Sequence, residues 1–266
     1  MTKVALSGAA GNMGRILRER LTQRGVDLRS AGGRTPLKPL HEGEDLTHGD
    51  LRDPAVVDGL LQGVDVLIHL AGTSVERPLP EIIENNLVAL HQVYEGARRH
   101  KVRRVVFASS NHAFGMHSVD DKLSLDAPFR PDGFYGLSKV WGEAMARMYW
   151  DKHGIEGISI RIGTAMGKPP QEPRHLSTWL GEDDLVQLVM RCIEAPEVGY
   201  MAVWAASANT RSYWDNTGAE KLGFRPQQNA EAYADEILKR GNPLDPVAQR
   251  YQGGGFVTLD YTRPTR

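Results

Sequence analysis

The chain has 266 residues and a formal net charge of −1, with 32 Lys and Arg against 33 Asp and Glu. This length suits one α/β domain, or one with a small lobe, and allows a large core without disulfides. The near-zero charge gives no support for nucleic acid or an anionic membrane surface as a partner, and the only cysteine, Cys192, excludes internal disulfides and cysteine-based metal sites.

The first residues lead directly into a short apolar strand and lack the long apolar stretch and cleavage site of a signal peptide. No later stretch approaches the roughly 20 apolar residues of a membrane span. We therefore expect a cytoplasmic protein without a membrane partner.

Short apolar strands alternate with helical patterns along the first 163 residues. The predicted strands are Lys3–Leu6, Val26–Ala31, Asp45–His48, Val64–Leu70, Arg104–Ala108 and Ile155–Ile162, and the predicted helices are Asn12–Arg24, Pro54–Leu61, Pro80–Arg99 and Tyr135–Lys152. This order predicts an α/β fold with a Rossmann-type, doubly wound parallel sheet. Ligands bind such sheets beyond the carboxyl ends of the strands, so we expect one cleft to gather Gly8, Ala71, Ser110 and Gly163.

The composition changes after Gly163. A proline-rich loop at Lys168–Arg174 precedes a predicted helix, Asp183–Glu194, and a predicted strand, Gly199–Trp204, while Gly253–Gly255 precede an extended tail. We predict that residues 1–163 form a dinucleotide-binding core and that residues 164–266 form a small substrate-binding lobe with a C-terminal tail. The lobe is not expected to be an independent domain.

A glycine-rich turn lies between the first strand and the first helix. Gly8, Gly11 and Gly14 have the spacing Gly-x-x-Gly-x-x-Gly, which lets backbone N–H groups and a helix N-terminus meet a diphosphate. The turn predicts a dinucleotide cofactor. The predicted cofactor contacts are Gly8, Gly11, Asn12, Met13, Gly14, Arg34, Asp50, Leu51, Leu70, Ala71, Gly72, Tyr135, Lys139 and Ile162.

The end of the second strand bears on the choice between NAD and NADP. NAD sites usually carry an acid there and NADP sites an arginine. The segment Ser30–Arg34 has no acid, and Asp27 lies at the start of the strand. Arg34 suits a 2′-phosphate, although it is also typical of a solvated loop. We expect that NADP is accepted as well as NAD, and that Asp50 either caps the adenine or only begins the next helix.

Tyr135 and Lys139 are four residues apart, which places both on one helical face. A lysine ammonium and a cationic nicotinamide favour a tyrosine phenolate, so we expect Tyr135 to act as a general base near neutral pH. Ser110 ends a strong strand and is expected to hydrogen-bond the substrate hydroxyl; the alternative is a turn-forming serine. Asn86 is expected in the middle of a helix, either as a water relay to Lys139 or as a surface residue.

Six segments resemble the uronate dehydrogenases of the extended short-chain dehydrogenase/reductase superfamily. They are Ala108-Ser109-Ser110-Asn111-His112, Arg161-Ile162-Gly163, Leu176-Ser177-Thr178-Trp179, Trp204-Ala205-Ala206-Ser207-Ala208-Asn209, Trp214-Asp215-Asn216 and Tyr251-Gln252-Gly253-Gly254. The resemblance extends over almost the full length.

This resemblance implies oxidation of the C1 hydroxyl of cyclic D-galacturonate or D-glucuronate to an aldaro-lactone, without a metal. It implies that Tyr135 is the base, that Lys139 is its partner and holds the nicotinamide ribose, and that Ser110 is the donor. It places the sugar contacts at Ser74, Asn111, His112 and Thr164, and the carboxylate contact at Arg174. It also implies a homo-oligomer that packs through C-terminal segments.

Three departures from the family pattern leave alternatives open. Gly32 stands where the family usually has Asp, Thr164 where it has Ser, and Ala113–His117 differ from the usual residues. A dehydrogenase for glucose 6-phosphate or a neutral aldose fits the same frame. A sugar-nucleotide epimerase and a non-catalytic NADP-binding sensor are the further alternatives.

Overall fold

The computed structural model describes residues 2–263, which contain one seven-stranded parallel sheet with helices on both faces. The strands are β1 Lys3–Ser7, β2 Asp27–Ala31, β3 Asp45–Thr47, β4 Val66–His69, β5 Arg104–Ser110, β6 Glu156–Ile162 and β7 Tyr200–Ala205. Their spatial order is β3-β2-β1-β4-β5-β6-β7. The winding reverses between β1 and β4, which opens a crevice at the carboxyl ends of the strands. The predicted Rossmann-type fold is confirmed.

The α-helices are α1 Asn12–Gln23, α2 Pro54–Leu61, α3 Leu79–Ile82, α4 Ala89–Arg99, α5 Phe134–His153, α6 His175–Thr178, α7 Glu182–Glu194 and α8 Ala234–Lys239. The five predicted helices are found in place and nearly in length, whereas α6 and α8 were not predicted. A wider π-helical turn, Ile83–Val88, joins α3 to α4. The predicted helix Pro80–Arg99 is therefore one helical run with an inserted π-turn, a feature frequent at functional sites.

Alternating side chains of each central strand pack into two separate apolar layers. In β1, Val4 and Leu6 pack with Leu17 of α1 on one face, whereas Ala5 packs with Val57 of α2 on the other. Strands β4, β5 and β6 are buried along their whole length. Burial on both faces explains the continuous apolar runs at residues 66–68 in β4 and 105–108 in β5.

Part of the chain beyond Gly163 joins the sheet. Strand β7 pairs in parallel with β6, with Val203 beside Ile160. Later segments return to the carboxyl end of the sheet, where Trp214 bridges to Leu123 and Tyr251 bridges to Ser118. The division of the chain at residue 163 remains a prediction. No helix within residues 2–263 is long and apolar enough to cross a membrane.

The described start of the C-terminal tail is not extended as predicted, and its last residues, 264–266, lie outside the described residues. Residues Gly254–Thr258 form a 3₁₀ turn that begins at Gly254, whose φ is +62°. The turn is stabilised from outside, because Phe256 stacks on His112 with ring centroids 4.0 Å apart. A contact 144 positions away in the chain leaves no local pattern in the sequence.

A buried ion pair connects α5 to the sheet. The Arg161 guanidinium donates to both carboxylate oxygens of Glu143, with Nη2 2.9 Å from Oε2, and Ser109 Oγ donates to Glu143 Oε1 at 2.6 Å. Glu143 is 1% exposed and Arg161 is 5% exposed. The guanidinium also lies 4.4 Å from the ring centroid of Phe114. Breaking one partner of such a pair leaves an uncompensated charge.

We expect Glu143→Gln to lower the free energy of unfolding by about 3 kcal/mol, since it leaves Arg161 buried without a counter-charge. Urea denaturation at pH 7 measures this. Asp151→Asn is the matched control on the same helix, because Asp151 forms an exposed pair with Arg147 and its loss costs less than about 1 kcal/mol. Equal losses in the two variants would contradict the assignment.

Candidate active site

The turn after β1 brings backbone rather than side chains to the cleft. Gly8 has φ +76°, and a β-carbon there would lie 2.7 Å from the Ala71 nitrogen. A β-carbon at Gly14 would lie 2.1 Å from the Gly8 carbonyl oxygen. Helix α1 begins after Gly11, and within the described residues no side chain caps its first turn. The N–H groups of this turn therefore remain available to an anion such as a diphosphate.

A cavity of about 590 Å³ runs along the carboxyl ends of the strands. This volume lies in the range of small-molecule sites. Its walls include every residue predicted to contact the cofactor: Gly8, Gly11, Asn12, Met13, Gly14, Arg34, Asp50, Leu51, Leu70, Ala71, Gly72, Tyr135, Lys139 and Ile162. Four predicted substrate residues also line it: Ser74, Ser110, His112 and Tyr135. The cleft thus gathers the expected strand ends, and the contacts to a cofactor remain predictions.

The far end of the cavity carries one exposed cation and one carboxylate. Arg34 lies in the loop after β2, with Nη2 3.4 Å from Oδ1 of Asn85. The Asp50 carboxylate accepts hydrogen bonds from the Arg52 side chain, which lowers the pKa of Asp50. Asp27 is the first residue of β2 and lies at the amino-terminal end of the strand, away from the cavity, as its position in the sequence predicts.

Gly32 is required by the turn that presents Arg34. A β-carbon at Gly32 would lie 2.2 Å from the Thr35 carbonyl oxygen and 2.8 Å from Cγ of Leu37. The Thr35 N–H donates back to the Gly32 carbonyl at 3.3 Å. An acidic side chain does not fit at this position unless the turn changes shape.

Tyr135 and Lys139 lie in the first two turns of α5 and are both buried, with 7% exposure each. Lys139 Nζ donates to the Ala108 carbonyl at 2.8 Å and lies 5.4 Å from the centre of the Tyr135 ring. Ser110 is the last residue of β5, its hydroxyl accepts from the His112 N–H at 3.2 Å, and it lines the cavity with Tyr135, close enough to affect the pKa of that phenol. Three of the four residues predicted to be catalytic, Ser110, Tyr135 and Lys139, therefore line the same cavity.

Burial dominates the pKa values of Tyr135 and Lys139 in the protein alone. Burial raises the pKa of Tyr135 to about 12, and the nearby Ser110 hydroxyl only partly opposes the increase. Burial also lowers the pKa of Lys139 to about 8. In the protein alone the Lys139 charge does not offset this increase, because burial disfavours the phenolate and the ammonium is directed at Ala108. A base near neutral pH with the oxidised nicotinamide beside it remains a prediction.

Asn86 lies in the π-turn and is buried, not on the surface. Its Oδ1 accepts from the Thr73 N–H at 2.7 Å, and its Nδ2 donates to the Thr73 carbonyl at 3.0 Å and to Ser138 Oγ at 2.9 Å. Because both amide hydrogens are used, a water relay to Lys139 would rest on the amide oxygen alone. The observed contacts hold the loop that carries Ser74 against α5.

Three other predicted substrate residues form a cluster beside the cavity. Arg174 donates from Nε to the Gln252 carbonyl at 2.7 Å and from Nη1 to Thr164 Oγ1 at 3.4 Å. With the Asn111 amide oriented to satisfy its neighbours, its oxygen accepts from Arg174 Nη2 at 2.7 Å and its nitrogen donates to Ile162 O at 3.1 Å. Burial lowers the pKa of Arg174, which remains a cation.

Three residues beside the cavity were missed by the sequence analysis. Phe256 stacks on His112, and Asp132 Oδ2 lies 2.7 Å from His112 Nδ1. Glu76 accepts from the N–H groups of Phe134 and Tyr135, both at 2.9 Å, and so caps α5. The run of three glycines before Phe256 was a usable signal of close packing. Nothing near Glu76 in the sequence indicates its partner.

Comparison with known proteins agrees with this geometry. Residues 4–189 match the NAD dependent epimerase/dehydratase family. The chain is 43% identical over 259 residues to uronate dehydrogenase of Agrobacterium fabrum, which covers 97% of both chains. A crystal structure of a tyrosine-to-alanine mutant of uronate dehydrogenase from Agrobacterium tumefaciens, complexed with NAD, has a TM-score of 0.92 at 41% identity and covers 99% of this chain and all of that one.

An L-arabinose 1-dehydrogenase (NAD(P)(+)) of Haloferax volcanii is less similar, with 34% identity over 86% of this chain and 98% of the relative. The chain belongs to the NAD dependent epimerase/dehydratase family and, within it, to the uronate dehydrogenases.

Lys139→Met is expected to remove turnover and to change how stability depends on pH. The folded pKa of about 8 lies below the ordinary value of 10.5, so the unfolded chain binds more protons between these pH values. Stability conferred at this site therefore rises with pH in that window, by about 2 to 3 kcal/mol, and the variant lacks the rise. Urea denaturation from pH 7 to pH 10 measures the difference. Lys152→Met, exposed on the same helix, should retain the rise; parallel profiles for the wild type and Lys139→Met would refute the expectation.

Proposed function

We propose that this protein oxidises the C1 hydroxyl of a cyclic hexuronate, D-galacturonate or D-glucuronate, to an aldaro-lactone with NAD as hydride acceptor. The family and the relatives named uronate dehydrogenase support the reaction type. The sugar residues Ser74, Asn111, His112, Thr164 and Arg174 are assigned to the substrate within this proposal.

The observation that supports a hexuronate substrate is the number of unused N–H donors on the Arg174 guanidinium. A guanidinium has five N–H donors. Three of them are used, by the Gln252 carbonyl, Thr164 and Asn111. One donor then remains on each terminal nitrogen, and within residues 2–263 no carboxylate forms a salt bridge with Arg174. One free donor on each terminal nitrogen allows a two-point contact with a carboxylate.

The chemistry follows from the residues around C1. Tyr135 Oη accepts the hydroxyl proton, and Ser110 Oγ donates to the same oxygen and fixes its position. NAD supplies the hydride acceptor when bound. Since nearby cations lower the pKa of a phenol, the positive charges of Lys139 and of the oxidised nicotinamide act together against the burial that raises the pKa of Tyr135. Arg174 orients the sugar from its far end.

The finer assignments belong to the same proposal. Acceptance of NADP is supported by the exposed Arg34 at the adenosine end and by the absence of an acid in the turn at Gly32. A homo-oligomer through C-terminal segments is supported by Leu259, which is 53% exposed just beyond the segment that packs on the site. A cytoplasmic location remains a prediction from the sequence.

Arg174→Ala is expected to reduce kcat/KM for D-galacturonate by about 10² to 10³-fold, the loss of a charged bidentate contact. Turnover of neutral D-galactose should change by less than about threefold, because galactose has no carboxylate to lose. Absorbance of reduced nicotinamide measures both rates. Arg174→Lys should restore only part of the loss, since an ammonium does not offer the paired donors.

Equal losses on the acid and on the neutral sugar would overturn the carboxylate assignment. Wild-type turnover of glucose 6-phosphate in preference to both uronates would replace the substrate. Tyr135→Phe should remove turnover on every sugar, whereas a protein that only senses the dinucleotide would show no turnover to lose.

Arg34→Ser is expected to raise KM for NADP by about 10 to 100-fold, because a charged contact to the 2′-phosphate is lost. KM for NAD should stay within about threefold. The single substitution is preferable to an added acid at Gly32, which the turn excludes. Parallel changes for the two dinucleotides would show that Arg34 does not meet the 2′-phosphate.

A further inference from the structure

Asp132 is a buried carboxylate that two segments of the chain approach through glycine. Its side chain is 0% exposed. A β-carbon at Gly115 would lie 1.9 Å from its Oδ2, and one at Gly253 would lie 2.1 Å from the same atom. These glycines belong to the loop after β5 and to the C-terminal segment. Burial of a carboxylate is costly without partners, so a position built this tightly around one indicates a defined task.

The partner of this carboxylate is the imidazole of His112. Asp132 Oδ2 lies 2.7 Å from His112 Nδ1, and Asp132 Oδ1 has no hydrogen-bond partner among the described residues. An ionised carboxylate only accepts hydrogen bonds. The contact therefore places a proton on Nδ1 and leaves Nε2, on the other side of the ring, for a ligand.

The ring of His112 is also fixed from its face. Phe256 stacks on it at 4.0 Å with an interplanar angle of 27°, and the Tyr135 ring meets it edge-on at 5.6 Å. His112 lines the cavity. Asp132 precedes Gly133, the N-cap residue of α5, and so lies at the positive end of that helix. The imidazole is thus constrained in position, rotation and tautomer.

We infer that Asp132 is a positioning residue for the sugar: it holds His112 with Nε2 directed at a ring hydroxyl of the hexuronate bound against Tyr135. This inference rests on the proposed function, since it takes a sugar as the ligand of His112. Asp132 itself touches neither the sugar nor the cofactor and acts through the imidazole. Phe256 completes the arrangement from the C-terminal segment.

A double-mutant cycle tests this inference. We would measure kcat and KM for D-galacturonate in the wild type, Asp132→Asn, His112→Ala and the double variant. The carboxamide accepts or donates at Nδ1 and so no longer selects one tautomer. We expect Asp132→Asn to raise KM about tenfold, the loss of one well-placed hydrogen bond, with kcat changed by less than about threefold.

The double variant should be no worse than His112→Ala by more than about twofold, because Asp132 has nothing left to position. The Kd of NAD should stay within about threefold in all variants. Losses that multiply in the double variant, or an equal loss of NAD affinity, would overturn the inference and assign Asp132 a general structural role.

Nitrogen-15 spectra of histidine-labelled wild-type protein give an independent readout that needs neither turnover nor a folded variant. The inference requires His112 to carry its proton on Nδ1 and its Nε2 signal to move when D-galacturonate is added. An unprotonated Nδ1, or an Nε2 signal that stays in place while galacturonate binds, would overturn it. Absence of wild-type turnover on both uronates would instead sink the proposed function, and the protonation of Nδ1 would still decide whether Asp132 sets the tautomer.

Discussion

The contact of α5 with β5 and β6 fixes the geometry on which the proposed chemistry depends. A β-carbon at Gly142 would lie 2.2 Å from the ring of Phe107 in β5. Only a glycine therefore lets α5 approach the sheet this closely. The Glu143–Arg161 pair fixes the register of the same contact. Lys139 is directed at the Ala108 carbonyl as a result, and Tyr135, one turn earlier, reaches the end of β5 where Ser110 lies. A shift of this helix along the sheet would separate all three reacting groups.

Close packing at this contact has an electrostatic consequence. Lys139 and Tyr135 are both removed from water. Burial raises the pKa of Tyr135 and lowers that of Lys139, so it favours the neutral form of each side chain. The protein alone therefore keeps Tyr135 as the neutral phenol near pH 7, and positive charge brought beside the ring favours the phenolate. This is a reason for a tyrosine rather than a carboxylate in the role: a buried phenol stays neutral and inexpensive until a cation arrives. Burial and cofactor charge together set when the proton moves.

The sequence predicted the elements of this site much better than their surroundings. The glycine turn, the order of strands and the Tyr135–Lys139 spacing are local patterns, and each was found where it was predicted. Gly32 was noted only as a missing acid, because the Thr35 carbonyl that excludes a side chain is a matter of turn geometry. Phe256 and Asp132 reach His112 through tertiary contacts, which no periodicity records. The burial that raises the pKa of Tyr135 in the protein alone is equally absent from local patterns, since burial is a property of the folded chain.

The same contacts limit how α5 can change. Glycine inside a helix costs roughly 1 kcal/mol relative to alanine, and α5 carries two such residues, Gly136 and Gly142. Replacement by alanine would ordinarily stabilise the helix. Here a β-carbon at Gly136 would lie 2.3 Å from the His112 carbonyl oxygen, and one at Gly142 would meet the Phe107 ring. Either side chain would displace the helix that carries the base from the strand that carries its serine. The two glycines therefore lower the helix propensity of α5 but allow it to pack closely on the sheet. The buried contacts that they make possible offset the loss of propensity.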